Sequence, residues 1–286
     1  MSESLFVVGA DGLLGSALFA RGRRKGLDVC ATMQHGDDPA AGIWRLDLGK
    51  PLDDWSPPRC SSAVLCAAIT SLEACRRDPA GTRHINVNQT VRLADRLVSA
   101  GAFVVFVSSN LVFDGTHPCR PAEDALCPQT EYGRQKAEVE RALAAFGESV
   151  AVVRLTKVVH PQWALIRGWI ESLRGGRTVE AFADTVCAPI PLDVAAGGLL
   201  DVARRRLPGI WQLSAATDVS YAEMARHLAR QVGGAPELVI DISARTRGSL
   251  EHVPQHTTLD ASRAVRELGL RFPPPLETVE VQCVGA

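Results

Sequence analysis

The stretch Leu5-Phe-Val-Val-Gly9-Ala-Asp-Gly12-Leu-Leu-Gly15 decides the fold of this chain. A short apolar run leads directly into a glycine-rich turn, and the turn opens a helical pattern over residues 13–25. A strand, a glycine turn and a helix N-terminus together bind the pyrophosphate of a dinucleotide. Gly9 permits the tight turn, Gly12 lets phosphates approach the backbone, and Gly15 lets helix and strand pack closely.

Short apolar runs and helical patterns alternate outward from this turn. The predicted strands are 5–8, 27–32, 63–67, 103–107 and 151–155, and the predicted helices are 13–25, 87–100, 131–146, 221–231 and 261–268. This alternation predicts an α/β fold, a doubly wound parallel sheet of the Rossmann type with a smaller C-terminal α/β substrate-binding region. We expect a dinucleotide-binding domain over 1–158 and a substrate-binding region over 159–286, with segments that return to the sheet. Residues 270–286, which contain three consecutive prolines, are predicted to form a loosely held tail.

Composition excludes several classes of function. The chain has 286 residues, 46% of them hydrophobic, and a net charge of −1, which gives no field to attract nucleic acid or a membrane surface. Its eight cysteines are irregularly spaced, with no Cys-x-x-Cys pair. We therefore expect reduced thiols in a cytoplasmic protein, and neither a disulfide framework nor a metal site. The pair His252…His256 has the spacing of a helical zinc site, but Pro254 would break that helix.

Tyr132 and Lys136 are four positions apart, so they share one face of a helix. An ammonium there can stabilise a phenolate and lower the pKa of the phenol, which makes it a usable acid or base. The motif alone is weak, because a solvated helix face is the ordinary alternative. Its context is what favours catalysis.

The end of the second strand should decide which nicotinamide is bound. An acid there would hold the ribose 2′-hydroxyl of NAD(H). The sequence Ala31-Thr-Met-Gln-His35 has no acid, and Thr32, Gln34 and His35 can donate hydrogen bonds. This favours NADP(H), with NAD(H) as the alternative.

Together, the glycine turn, Ser108-Ser109 at the end of a strand and the downstream Tyr132…Lys136 resemble the extended short-chain dehydrogenase/reductases. More narrowly, the chain resembles the dTDP-4-dehydrorhamnose reductase branch. Further matching segments are Asp47-Leu48, Cys66-Ala-Ala68, Asn86-Val-Asn88, Val112-Phe-Asp-Gly115, Glu123, Pro128 and Asp184 through Asp193-Val-Ala195. The resemblance runs from about residue 4 to about residue 270.

This resemblance implies a set of site residues. Ser109, Tyr132 and Lys136 would be catalytic, with Ser108 as the alternative to Ser109. The predicted cofactor site consists of Gly9, Asp11, Gly12, Leu13, Leu14, Gly15, Thr32, Gln34, His35, Asp47, Leu48, Cys66, Ala67, Ala68, Asn86, Ser108, Tyr132 and Lys136. The predicted substrate site consists of Thr70, Asn110, Leu111, Lys157 and Trp163.

The sequence also departs from the branch it resembles. Asn110 and Leu111 replace an aspartate and a tyrosine of the reductase pattern, and Lys157 replaces a tryptophan. The altered substrate wall argues against dehydrorhamnose itself. We therefore expect an NAD(P)H-dependent reductase of a keto group on a nucleotide-linked deoxysugar, with Tyr132 as proton donor. The alternatives are a sugar-nucleotide epimerase or dehydratase, and a non-catalytic NADP-binding regulatory subunit like the accessory subunit of methionine adenosyltransferase. A possible homodimer is a further expectation from the resemblance.

Overall fold

A computed structural model describes residues 4–53, 55–248 and 250–284 of the chain. Residues 1–3 of the predicted first domain therefore lie outside the described residues. So do residues 285 and 286, the last two of the predicted second domain and of the predicted tail. The strands are β1 (Ser4–Val8), β2 (Asp28–Met33), β3 (Ile43–Arg45), β4 (Ser62–Leu65), β5 (Phe103–Ser109), β6 (Val150–Leu155), β7 (Lys157–Val159), β8 (Val179–Phe182), β9 (Val186–Cys187), β10 (Pro189–Pro191), β11 (Gly209–Leu213), β12 (Val219–Ser220) and β13 (Val239–Ile242). The helices are α1 (Leu13–Arg24), α2 (Leu72–Arg77), α3 (Pro79–Arg83), α4 (Thr90–Ser99), α5 (Glu131–Leu143), α6 (Ala164–Arg174), α7 (Leu192–Arg205), α8 (Tyr221–Gln231), α9 (Ala244–Arg247), α10 (Ser262–Leu268) and α11 (Pro275–Cys283).

Seven parallel strands form the central sheet in the order β11-β6-β5-β4-β1-β2-β3. Alternate side chains of these strands point to opposite faces. One face packs against α1 and α7, and the other packs against α4 and α5. Helices therefore cover both faces, which confirms the predicted doubly wound Rossmann sheet. The strand order reverses at β1 and β4, and such a switch point is where parallel α/β sheets bind ligands.

The five predicted strands coincide with observed strands apart from one or two residues at their ends. The predicted helix 87–100 corresponds to α4 and was less exact. Here α3 continues through a π-helical segment, His84–Gln89, into α4. Asp78 caps α3 by accepting a hydrogen bond from the Gly81 N–H group, so helical structure begins before the predicted residue 87.

A smaller region follows the sixth strand along the chain. Helices α6, α8 and α11 pack with β8, β9, β12 and β13 around a core of their own. The chain returns from this region to the main sheet, where β11 pairs in parallel with β6. The sequence boundary predicted at residue 158 stays a prediction.

The prediction of a loosely held tail was wrong. Pro275 begins α11, whose Thr278 and Val279 are buried against the core of the smaller region. Proline is well suited to the first turn of a helix because its fixed φ is already helical and its missing N–H group has no partner there. Among the described residues, none of the helices is long and apolar enough to cross a membrane.

Candidate active site

A cavity of about 950 Å³ lies at the carboxyl ends of the central strands. Its lining includes Val8 at the end of β1 and Cys66 just after β4, so the cavity opens at the switch point of the sheet. Its volume lies in the upper part of the range for small-molecule sites.

The glycine turn forms the floor of this cavity. Gly9 has a φ of +87°, and its N–H group donates to the Thr32 carbonyl oxygen at 3.1 Å. A Cβ atom on Gly15 would lie 2.2 Å from the Gly9 carbonyl oxygen, so only glycine lets α1 approach the turn this closely. The N-cap residue of α1 is Gly12, which has no side chain to cap the helix, and Gly12, Leu13 and Leu14 of this N-terminus line the cavity. These features fit the diphosphate of a dinucleotide.

Asp11 occupies a position that local sequence does not reveal. One of its carboxylate oxygens accepts the Gln34 N–H group at 2.8 Å, just past the end of β2. Both residues line the cavity. The second strand itself ends without an acid, but the glycine turn places a carboxylate at its end.

The remaining predicted cofactor residues divide into two groups. Those that line the cavity with the glycine turn are Leu13, Leu14, Thr32, Asp47, Leu48, Cys66, Ala67, Ala68 and Ser108. The second group does not line the cavity and consists of Asn86 and of His35, which is exposed beyond the end of β2.

Asn86 was also predicted to contact the cofactor, and this stays a prediction; in the structure its amide is used within the protein. Its side chain is 1% exposed and does not line the cavity. The amide accepts the Ile69 N–H group at 2.8 Å, donates to the Ile69 carbonyl oxygen at 2.9 Å and donates to Gln135 at 2.8 Å. Asn86 thus ties the loop after β4, which does line the cavity, to helix α5.

Helix α5 carries Tyr132 and Lys136 into the cavity. Thr130 caps this helix by accepting the Gly133 N–H group at 3.1 Å. A Cβ atom on Gly133 would lie 2.1 Å from the Leu111 carbonyl oxygen, so the first turn of the helix packs tightly against the segment after β5. Tyr132 is 9% exposed and Lys136 is 4% exposed, and both line the cavity.

The Lys136 ammonium donates to the Val107 carbonyl oxygen at 2.8 Å and lies 5.6 Å from the centre of the Tyr132 ring. Burial lowers the pKa of Lys136 to about 8. Burial also raises the pKa of Tyr132 well above its usual value, and the Cys75 thiol adds to this rise. The expectation that Lys136 lowers the pKa of the phenol was therefore wrong for the chain by itself, because loss of solvent dominates the pKa of Tyr132.

The two serines at the end of β5 have different surroundings. The Ser108 hydroxyl is buried and donates to the Glu140 carboxylate, which Arg154 holds from the other side. The Ser109 hydroxyl accepts the Leu111 N–H group at 3.2 Å and lines the cavity. Since Ser108 is already committed to a carboxylate, the contacts favour Ser109 as the serine available to a substrate.

The predicted substrate residues Thr70, Asn110, Leu111 and Lys157 line the same cavity. Trp163 does not line it; it lies behind Lys157, with its ring centre 4.4 Å from the ammonium. Cavity-lining residues that sequence reasoning missed include Thr185, Cys187, Tyr221, His252 and Thr257. All five come from the smaller region or from the segment that follows β13. The resemblance of the segment from Asp184 to Ala195 gave a signal for Thr185 and Cys187 alone.

The two histidines with zinc spacing are used otherwise. His252 contacts the Asp114 carbonyl oxygen at 2.8 Å, and His256 contacts the Asp218 carboxylate at 3.3 Å. In the part of the chain that the structure describes, no group of three or more His, Cys, Asp or Glu side chains is arranged to hold a metal ion.

Comparison with known proteins gives matches over almost the whole chain. The family described as RmlD substrate binding domain matches residues 3–281. A dTDP-4-dehydrorhamnose reductase of Sinorhizobium fredii is 25% identical over 282 residues, which cover 94% of this chain and 93% of that protein.

Solved structures agree on the fold. A dTDP-4-dehydrorhamnose reductase from Bacillus anthracis in complex with NADP superposes with a TM-score of 0.85 at 18% identity, and each chain is covered completely. MoeE5 in complex with UDP-glucose and NAD superposes with a TM-score of 0.78 at 24% identity over 96% of each chain.

Proposed function

Because this chain belongs to the RmlD substrate binding domain family, we propose that it is an NAD(P)H-dependent oxidoreductase that reduces a keto group on a nucleotide-linked deoxysugar. The observation that carries the proposal is one cavity lined by the glycine turn, Ser109, Tyr132 and Lys136. The Sinorhizobium fredii relative, which is named as a reductase of such a substrate, matches this chain nearly end to end.

The chemistry that bound NAD(P)H supplies is hydride transfer to a carbonyl carbon, which leaves negative charge on the oxygen. We propose that Tyr132 protonates this oxygen and that Ser109 donates a hydrogen bond to it. The phenol of Tyr132 carries its proton at neutral pH, so it can donate this proton when charge develops on the substrate oxygen. Lys136, fixed by the Val107 carbonyl oxygen, supplies positive charge beside the phenolate that remains.

For the reductant we propose NADP(H), with NAD(H) as the alternative. The reductase from Bacillus anthracis holds NADP, whereas MoeE5 holds NAD. Two features of this chain act in opposite directions: β2 ends without an acid, but the Asp11 carboxylate lies at Gln34. A carboxylate there would repel a 2′-phosphate and accept a hydrogen bond from a 2′-hydroxyl.

We expect Asp11→Asn to raise the ratio of kcat/KM for NADPH to that for NADH. Loss of one partly exposed charge should shift this ratio by roughly 5- to 30-fold, which corresponds to about 1–2 kcal/mol. Steady-state rates with both coenzymes measure the ratio, and Asp53→Asn, on the exposed surface outside the cavity, is the control. An unchanged ratio would show that Asp11 does not discriminate between a 2′-phosphate and a 2′-hydroxyl on the ribose.

The proposed activity is tested by NADPH and NADH oxidation over a panel of keto-sugar nucleotides that vary in sugar and nucleotide. We expect turnover with at least one of them and loosely bound, exchangeable coenzyme. An epimerase or dehydratase would instead purify with bound nucleotide and consume none. A regulatory subunit would be inert over the whole panel and would co-purify with a partner enzyme.

We propose a cytoplasmic protein, because all eight cysteines of the chain are free thiols. A sugar nucleotide is the proposed partner in the cavity, and a homodimer stays a prediction from the resemblance.

A further inference from the structure

Charged side chains are few in the cavity and unevenly arranged. Asp11 and Asp47 line the half that contains the glycine turn, and Lys136 lies beside the proposed proton donor. Lys157 is the other lysine of the lining, and none of the arginines of the described chain lines this cavity. Lys157 is therefore a cation that the proposed coenzyme chemistry leaves unused.

The register of the strands places Lys157 near the reacting end of the cavity. Leu155 of β6 is the Cα partner of Ser109 of β5. Lys157 follows two residues later, at the start of β7, where it pairs with Pro189 of β10. The lysine thus belongs to the segment that continues past the carboxyl edge of the sheet, next to the proposed catalytic serine.

An aromatic platform holds the ammonium of Lys157. The ammonium lies 4.4 Å from the centre of the Trp163 ring. That ring in turn meets Tyr221 edge-on, at 6.3 Å between centres and an interplanar angle of 79°. An aromatic face attracts and orients a cation, but it carries no net charge with which to neutralise it.

No carboxylate among the described residues forms a salt bridge with Lys157. Asp218, whose charge acts on the Cys187 thiol, already accepts the Thr257 N–H group at 2.9 Å. Burial lowers the pKa of Lys157, and the Cys187 thiol offsets this only in part. An anion bound in the cavity would restore the balance of charge.

We propose that Lys157 binds an acidic group that the substrate carries on, or directly attached to, the sugar ring that is reduced. Two sources present this chemistry: a carboxylate on the ring, and the phosphate at the anomeric oxygen. The inference rests on the proposed reductase function, since it takes the cavity to hold a sugar nucleotide. If packing on Trp163 were the sole function of this side chain, methionine would serve without the desolvation cost of an ammonium.

UDP-glucuronic acid and UDP-glucose make a matched pair of probes, because they differ at the ring by a carboxylate. Each is titrated calorimetrically into the full chain saturated with oxidised coenzyme, so that no turnover is required. The variants are Lys157→Met, which keeps an unbranched chain one atom shorter and removes the charge, and Lys157→Arg, which keeps the charge. Lys25→Met, at the exposed end of α1, is the control.

We expect Lys157→Met to weaken binding of UDP-glucuronic acid by roughly 10- to 100-fold, the size of a hydrogen bond to a charged group. An unchanged affinity for UDP-glucose identifies the ring carboxylate, whereas an equal loss for both probes identifies the phosphate. Lys157→Arg should retain most of the affinity, and coenzyme binding by each variant checks that it is folded.

Affinities for both probes that match those of Lys25→Met would overturn the inference, as would failure of the unaltered chain to bind either probe. The proposed function fails differently. If no keto-sugar nucleotide is reduced and Lys157→Met still loses affinity, the reductase proposal falls and the anion site remains.

Discussion

Replacement of Tyr132 by Phe should lower kcat by about 10²- to 10⁴-fold, the usual contribution of a positioned general acid. The phenol is buried and lines the cavity, so its removal leaves the substrate oxygen without a positioned proton donor. The ring should continue to pack in the first turn of α5, because only the hydroxyl is removed. Single-turnover and steady-state rates of NAD(P)H oxidation measure the effect.

Affinity for the coenzyme is the internal control of this experiment, and it should change by less than about 3-fold, since the glycine turn is untouched. Tyr221, the other tyrosine of the chain, also lines the cavity and has a pKa raised by burial. Tyr221→Phe therefore tests whether any buried phenol would serve. We expect its kcat to fall by less than about 10-fold, and a kcat for Tyr132→Phe as high as that of the unaltered chain would refute the proposed acid.

The second large effect concerns stability. Replacement of Arg154 by Leu should lower the free energy of unfolding by about 3–5 kcal/mol, because it leaves the buried Glu140 carboxylate without its partner. The side chains are 2% and 4% exposed, and two guanidinium nitrogens contact the carboxylate, at 2.7 and 3.1 Å. Denaturant unfolding of the folded variant, compared with the unaltered chain, gives the difference.

The chain offers a matched surface pair. Arg247 contacts Glu180 at 2.8 Å with side chains about half exposed, at 49% and 54%. Arg247→Leu should cost no more than about 1 kcal/mol, because water already solvates both charges. A second variant, Arg154→Leu with Glu140→Leu, should recover part of the loss, since it removes the stranded charge. Equal costs for the buried and the exposed pair would contradict this explanation.

The sequence predicts the first half of the fold well because each element there carries its own local signal. Continuous apolar runs such as 103–107 are long enough for a strand buried on both faces, and the glycine turn fixes where β1 ends and α1 begins. The family resemblance drawn from these motifs was confirmed by the match over residues 3–281. The prediction of a loosely held tail failed because three consecutive prolines, judged from the sequence alone, indicate an interruption of regular structure. In the folded chain, burial of Val279 stabilises a helix directly after them.

The spacing of motifs predicts only those parts of the candidate site whose members are neighbours in sequence, and the family resemblance supplied distant members of the lining such as Ser109. The spacing of Tyr132 and Lys136 follows from the period of a helix. The placement of the Asp11 carboxylate at Gln34, 23 positions further along the chain, depends on how a turn meets another strand, and the residues between them carry no trace of it. The contacts of Asn86 were unpredictable for a related reason: its amide is bonded to Ile69 and Gln135, which only the folded chain brings together.

The return of the chain to the main sheet has a consequence for engineering of specificity. Strand β11, with its fully buried Trp211, completes the edge of the sheet beside β6, although it comes after the first helices of the smaller region. A chimaera made with a single crossover after β6 would therefore import this edge strand from the donor along with the new pocket wall. Exchange of substrate walls between relatives needs at least two crossovers, which leave α7 and β11 with their native sheet.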